Sequence, residues 1–179
     1  MNISFYDSSV VPAIKAISNL RDVMAKGAAH AAANGVAEAD LMAKKLADDM
    51  FDLGMQMTLV RVLACDEGLL KVVGLEATPS PHEIKSFADA DTVLANIVTD
   101  LGRIDADQFN AAMQNKVFAT LPPGCAHFND CLTFVQGWAM PHMYFHVTAA
   151  YCILRNNGVA LSKGDYLGAL EMEMVPHAK

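Results

Sequence analysis

The chain has 179 residues, 53% of them hydrophobic and 18% charged, with a formal net charge of −7 and an isoelectric point near 5.2. A disordered chain would be poorer in apolar residues, so these figures point to one domain with a substantial core. The acidic balance argues against a general nucleic-acid binder, which needs a basic excess to displace counterions from the phosphate backbone.

The first seven residues, Met1 to Asp7, contain no basic region and no unbroken apolar run. No secretory leader is expected, and the chain reads as cytoplasmic. Cys65, Cys125, Cys131 and Cys152 lack paired Cys-x-x-Cys spacing and read as thiols, mostly small buried hydrophobes. The stretch Cys131 to Leu154 carries no Asp, Glu, Lys or Arg and is long enough to cross a bilayer. It also holds Gln136, Pro141, His142 and His146, which are costly against lipid, so it reads as protein interior and no membrane partner is expected.

In chain order, Ala13, Ile17, Leu20 and Met24 recur at helical spacing and predict an amphipathic helix from about Ser9 to Ala33. Ser8 or Ser9 can cap it, Pro12 falls in its first turn, and Asn34-Gly35 supplies a left-handed exit. A second helix is expected from about Glu38 to Val73, with Met42, Leu46, Met50, Leu53, Met57, Val60 and Ala64 as a bundle seam and Gly74 after its last turn. The methionines of this seam read as adaptable core packing.

After the linker Thr78-Pro79-Ser80-Pro81, a third helix carries Phe87, Ala90, Leu94, Ile97, Val98 and Leu101. Ser86 with Asp89 can cap it, Ser80 with Glu83 offers an earlier capping box, and Gly102 is placed to close it. One further turn is expected from Asp105 to Asn110. Lys116 to Leu121 and Cys131 to Phe134 then read as two short strands of a hairpin around Pro122-Pro123-Gly124. The last long helix is expected from about Gln136 to Asn156, either kinked at Pro141 or starting there with Pro141 in its first turn, and ended by Asn157-Gly158, with another turn near Asp165 to Leu170 and a frayed stretch at Glu171 to Met174. His30, His82, His127 and His177 fall near helix ends or in loops and read as surface residues. The sum is an all-α, single-domain four-helix bundle spanning residues 1–179, with a long connection that carries a short β-hairpin before the last helix.

Bundles build chemistry from polar side chains that project inward. His142 and His146 share the apolar face of the last helix at the i, i+4 spacing that lets two imidazoles reach one metal ion. On the second helix, Asp49 and Gln56 share one shoulder of the buried face. Asp49 is therefore a candidate third metal ligand beside His142 and His146, and with His146 a candidate catalytic pair; Gln56 is a candidate ligand-binding residue. The same four residues also fit a core network in which His146 hydrogen-bonds Asp49 or Gln56. On the opposite side of the last helix, Tyr144, Tyr151 and Arg155 form a stripe that reads either as an amphipathic outer face or as a ligand or dimer surface. No phosphate loop, Gly-x-Ser-x-Gly elbow or His-Glu-x-x-His motif is present.

The run from Pro141 to Val159, with Phe145-His146-Val147-Thr148 and Asn157-Gly158-Val159 as its specific part, resembles a bacterial family within the DinB/YfiT-like superfamily of four-helix bundles. Asp49-Met50-Phe51, Gln56 and the segment Tyr6 to Pro12 extend the resemblance over nearly the whole chain. The resemblance implies homodimers and a divalent metal, zinc or nickel, held by three histidines, one on the second helix and two on the last. It also implies kinship with metal-dependent thiol transferases and isomerases. His142 and His146 match the last-helix pair, while Gln56 occupies the region of the second helix where the remaining histidine would stand. Two functions follow as expectations: a divalent-metal-dependent small-molecule enzyme, of thiol-transferase or hydrolase type, with its site between the second and last helices; or a non-catalytic homodimeric binding or assembly protein with a degenerate metal site.

Overall fold

The computed structural model describes residues 3–81, 83–121 and 124–170. The first helix, α1, runs Phe5–Asn34. It starts four residues earlier than the sequence pattern suggests, because Ser4 is the cap and accepts the backbone N–H of Asp7. Pro12 therefore sits inside the helix and leaves the Ser8 carbonyl without its usual donor. Gln136, far along the chain, reaches back to repair this: its Nε2 donates to Ser9 Oγ at 2.9 Å and lies 3.5 Å from the Ser8 carbonyl. The left-handed exit is as expected, with Gly35 at φ 64.

The second helical segment differs most from the sequence pattern. It is a short helix α2, Glu38–Met42, an irregular segment over 43–52, and then α3, Leu53–Arg61, which continues as a π-helical turn Val62–Asp66. Helix α4, Leu69–Val72, follows. Asp52 restarts the helix by accepting the Met55 N–H at 2.8 Å. Leu46 and Met50 thus belong to a surface segment and extend no buried seam; Asp49 is exposed on the same segment. The close approach of the chain at 83–85 needs Gly54, where a Cβ would stand 2.4 Å from the Ile84 carbonyl oxygen.

Helix α5, Phe87–Gly102, carries the expected Ser86–Asp89 capping box; the alternative box at Ser80 and Glu83 starts no helix among the described residues. Buried Asp100 pins the preceding segment by accepting from the Thr78 N–H at 2.8 Å and the Thr78 hydroxyl at 2.7 Å, with Arg103 at 2.9 Å. A short α6, Ala106–Ala111, is capped by Asp105.

The hairpin pairs β1, Val117–Leu121, with β2, Gly124–Phe128, in the antiparallel register Val117 to Phe128 and Ala119 to Ala126. It is fastened to the bundle by Glu67, which accepts the Thr120 N–H at 2.8 Å, and by Lys71, whose ammonium lies 4.5 Å from the Phe118 ring. Cys131 to Phe134 is no strand. Asp130 accepts the Thr133 N–H at 2.6 Å and opens a helix there, α7, Cys131–Phe134. A π-helical turn, Val135–Ala139, joins it to α8, Met140–Asn156, with Pro141 in that helix's first turn. Helix α8 itself starts as expected with Pro141 in its first turn, but the helical path into it begins at Cys131, five residues before Gln136, and the alternating pattern is that of a helix entering the core. Asn157 and Gly158, the latter at φ 88, end it. The turn expected near Asp165 is α9, Lys163–Leu167, opened by a Ser162–Asp165 capping box.

Four long helical segments make the bundle. Their main contacts run α1 to α5, α5 to α3, α3 to α8 and α8 to α1. Helices consecutive in sequence, α1 with α3 and α5 with α8, therefore lie across diagonals, and α3 and α8 are direct neighbours. No helix among the described residues is long and apolar enough to cross a membrane. The expectations for His82, for His177, for the Pro122-Pro123 turn and for Glu171 to Met174 fall outside the described residues.

Candidate functional site

The polar centre lies on the α3–α8 seam. Gln56, one turn into α3, is 1% exposed, and its Nε2 donates to the Phe51 carbonyl at 3.0 Å. That bond fixes the amide, since the reversed orientation would set two carbonyl oxygens against each other. Oε1 therefore faces the other way, 2.6 Å from Nδ1 of His146. An amide oxygen only accepts, so Nδ1 of His146 carries the proton and donates to it. Neutral His146 is thereby held as the Nδ1–H tautomer, with the lone pair on Nε2.

Two effects keep the ring neutral. Burial penalises the imidazolium, and His142 one turn away adds charge of the same sign, so the pKa of His146 is lowered to about 4. Among the described residues Nε2 has no hydrogen-bond partner, yet no buried side-chain nitrogen or oxygen lacks one. The His146 residue as a whole is partly exposed. Phe145 meets the His146 ring edge-on at 5.2 Å, and one turn earlier on the helix the exposed His142 packs against Trp138 at 4.9 Å. The π-turn before α8 is what places Trp138 beside Phe134, His142 and the hairpin's Phe128.

Of the residues singled out in the sequence, Gln56 and His146 meet directly and His142 stands beside them. Asp49 does not join them as a third ligand. The helix on which it was to share a shoulder with Gln56 is interrupted over 43–52, and among the described residues no group of three or more His, Cys, Asp or Glu side chains converges. Tyr144, Tyr151 and Arg155 do lie along α8, but α9 covers part of the stripe. Tyr166 packs edge-on against Tyr151 at 5.8 Å, and its hydroxyl is 3.1 Å from that of Thr148. The Tyr144 hydroxyl has its pKa raised, by burial and by Tyr166. Arg155 is exposed in the last turn, where a cation complements the helix dipole. Sequence reasoning missed the contributions of Phe51 and Trp138; the carbonyl of Phe51 leaves no trace in side-chain pattern, and Trp138 is aimed by a π-turn.

A divalent metal can be tested against this donor set. Two imidazoles are available, but a protein zinc site takes three or four side-chain ligands, with imidazole, thiolate or carboxylate donors. Gln56 is spent on Phe51 and His146, and no third strong donor is grouped with the pair. The residues present do not fit such an ion.

A cleft of about 370 Å³ lies elsewhere, between α2, the start of α3 and the segment 83–85. It is lined by Met42, Gly54, Met55 and Ile84 with Asp52 and the Glu83–Lys85 ion pair at its rim.

The diagonal order of the bundle, the hairpin before the last helix and the polar pair on the α3–α8 seam define a DinB-like helical protein. The chain is similar to the crystal structure of a DinB family member protein from Shewanella denitrificans, with 30% identity over 95% of each chain and a TM-score of 0.78. It belongs to the family described as Domain of unknown function (DUF1993), which it matches over residues 5–167. No functionally curated protein matches it significantly.

Proposed function

We propose that this protein binds a small molecule at His146 without a divalent metal, through a neutral imidazole that accepts a hydrogen bond at Nε2. The observation that carries the reading is the bond between Gln56 and His146, which fixes the tautomer and leaves Nε2 as the ring's remaining acceptor, without a partner among the described residues. A conjugate acid of pKa about 4 makes a weak general base at neutral pH, since proton-transfer catalysis favours a group whose pKa lies near the working pH. The same value keeps the lone pair available over the whole neutral range. The ligand class that suits it is a hydroxyl, thiol or N–H donor on an apolar or aromatic body, which the Phe145 ring can flank. Binding, and not metal-assisted thiol transfer or hydrolysis, is the function this geometry supports best.

Native mass spectrometry of protein purified without chelators, together with elemental analysis, tests the proposal. A non-covalent small-molecule adduct that disappears in His146→Ala, without stoichiometric metal, is the expected result. Near-stoichiometric zinc or nickel that is lost in both His142→Ala and His146→Ala would overturn it.

A further inference from the structure

The cleft between α2, the start of α3 and the segment 83–85 shares no lining residue with the His146 centre. Its volume of about 370 Å³ falls in the range of small-molecule sites, about 300–1,000 Å³. Its apolar lining is Met42 and Ile84, both buried, Met55, which is 41% exposed, and the small exposed residues Ala39 and Ala43. Unbranched methionines adapt to a flexible aliphatic body. No aromatic ring lines the cleft among the described residues, so nothing there favours a flat ligand by stacking.

The polar groups of the cleft favour a cation. Glu83 and Lys85 neutralise each other, so the surplus charge is the carboxylate of Asp52, which enters no ion pair among the described residues. Its Oδ1 caps α3 by accepting the Met55 N–H at 2.8 Å. That bond answers the positive end of the helix and leaves the lone pairs of the other oxygen. A second acceptor stands close by. The Ile84 carbonyl receives no backbone N–H among the described residues. The point that a Cβ on Gly54 would occupy lies 2.4 Å from the Ile84 oxygen and 3.6 Å from Asp52 Oδ1. The bare Cα of Gly54 thus lets a carboxylate and a carbonyl, both from residues that line the cleft, stand within reach of one ammonium with its three N–H donors.

We infer that this cleft is a binding site for a small aliphatic amine. The ammonium bridges the Asp52 carboxylate and the Ile84 carbonyl, and the hydrocarbon body lies against Met42, Met55 and Ile84, where its burial removes apolar surface from water. An alcohol of the same length fits the apolar lining but forgoes the bond between two full charges. A carboxylate of that length meets the like charge of Asp52. The site does not rest on a ligand at His146.

Titration of the full chain with n-hexylamine near neutral pH, followed by amide NMR, is the test, with 1-hexanol and hexanoate as controls. The expected result is saturable shifts at the amides of Gly54, Met55 and Ile84, with the amine bound at least about tenfold tighter than the alcohol and hexanoate weaker than either. Asp52→Asn keeps a side chain that caps α3 but removes the charge. It lowers affinity for the amine at least about tenfold and leaves that for 1-hexanol within about twofold. Ala43→Trp, at an exposed position, fills the cleft and abolishes binding of both. Circular dichroism confirms that the two variants fold. The absence of saturable shifts up to about 20 mM amine overturns the inference. So do shifts confined to the surroundings of His146, an amine affinity unchanged in Asp52→Asn, binding that survives Ala43→Trp, or a preference for hexanoate.

Discussion

The side chains of Gln56 and His146, ninety positions apart, act as one unit: the amide of the first decides which nitrogen of the second holds the proton. Because Gln56 is anchored in turn to the Phe51 carbonyl, the tautomer of His146 is set by the backbone at the start of α3. The site can therefore be disturbed from three places, and each disturbance has its own signature.

The protonation of His146 makes stability depend on pH. Its folded pKa, about 4, lies below the ordinary 6.5, so the unfolded chain binds more protons than the folded one between these values. Stability is complete above about pH 6.5 and declines as pH falls toward 4. Partial exposure of the residue limits the loss to about 1–2 kcal/mol. Chemical denaturation across this window measures it, and His146→Phe should flatten the slope.

Changing Gln56 separates hydrogen bonding from charge. Gln56→Leu leaves the Phe51 carbonyl and the His146 Nδ1–H without their partner and should cost about 1–3 kcal/mol. Gln56→Glu places a carboxylate against Nδ1, which favours the imidazolium and raises the His146 pKa. Nitrogen-detected NMR titration should show the tautomer signature of wild type lost in the first variant and the pKa moved upward in the second.

The buried carboxylate of Asp100 is 1% exposed and holds both polar hydrogens of Thr78 as well as Arg103. Asp100→Ala strands those donors and should destabilise the fold by about 2–4 kcal/mol. The loss should appear in equilibrium unfolding, with little change in the NMR signals of His146.

Two glycines provide a matched pair. Gly54→Ala drives a Cβ to 2.4 Å from the Ile84 carbonyl oxygen, whereas a Cβ at Gly102 meets nothing within 4 Å. The first should cost about 1–3 kcal/mol and the second should gain up to about 1 kcal/mol from reduced chain entropy. Thermal unfolding of both variants distinguishes the close approach from a general effect of glycine.

The thiols should react in an order set by burial. Cys125 is exposed on the hairpin, while Cys65 is buried and its pKa is pushed up to about 12 by desolvation and by the carboxylates of Asp100 and Asp66. An aromatic disulfide reagent should modify Cys125 at least ~100-fold faster than Cys65, which opens only on unfolding. Peptide mapping of partially labelled protein reads the order directly.

Periodicity exposed much of this architecture before any coordinates, and its failures have specific causes. The apolar stripes of α1, α5 and α8 and the Ser86–Asp89 box were legible because each helix buries one face and starts or stops at residues whose chemistry is local. The break at 43–52 was hidden. No Gly or Pro marks it, and Met42, Leu46, Met50 and Leu53 keep helical spacing through a segment that leaves the helix. The restart is announced only by Asp52, whose capping role depends on a turn already present. Cys131 to Phe134 misled for a related reason: four alternating residues suit a strand edge or a first helical turn equally, and Asp130 decides between them. At the site, the partnership of His146 with either Asp49 or Gln56 was readable from shared helix faces. Only packing of α3 on α8 chose Gln56.

The bonds between α1 and α9 bear on how the chain is made. Asn19 donates to the Tyr166 carbonyl and Lys26 pairs with Asp165, across separations of 147 and 139 residues. At translation rates of about 5–20 residues per second, the partners of α1 on the last helix emerge on the order of ten seconds after α1 itself. Helix formation takes on the order of microseconds, so α1 waits through most of synthesis with part of its surface uncovered. Helix α5, its other main neighbour, emerges roughly midway and can shelter it first, leaving α9 to act as a late clasp on a nascent bundle.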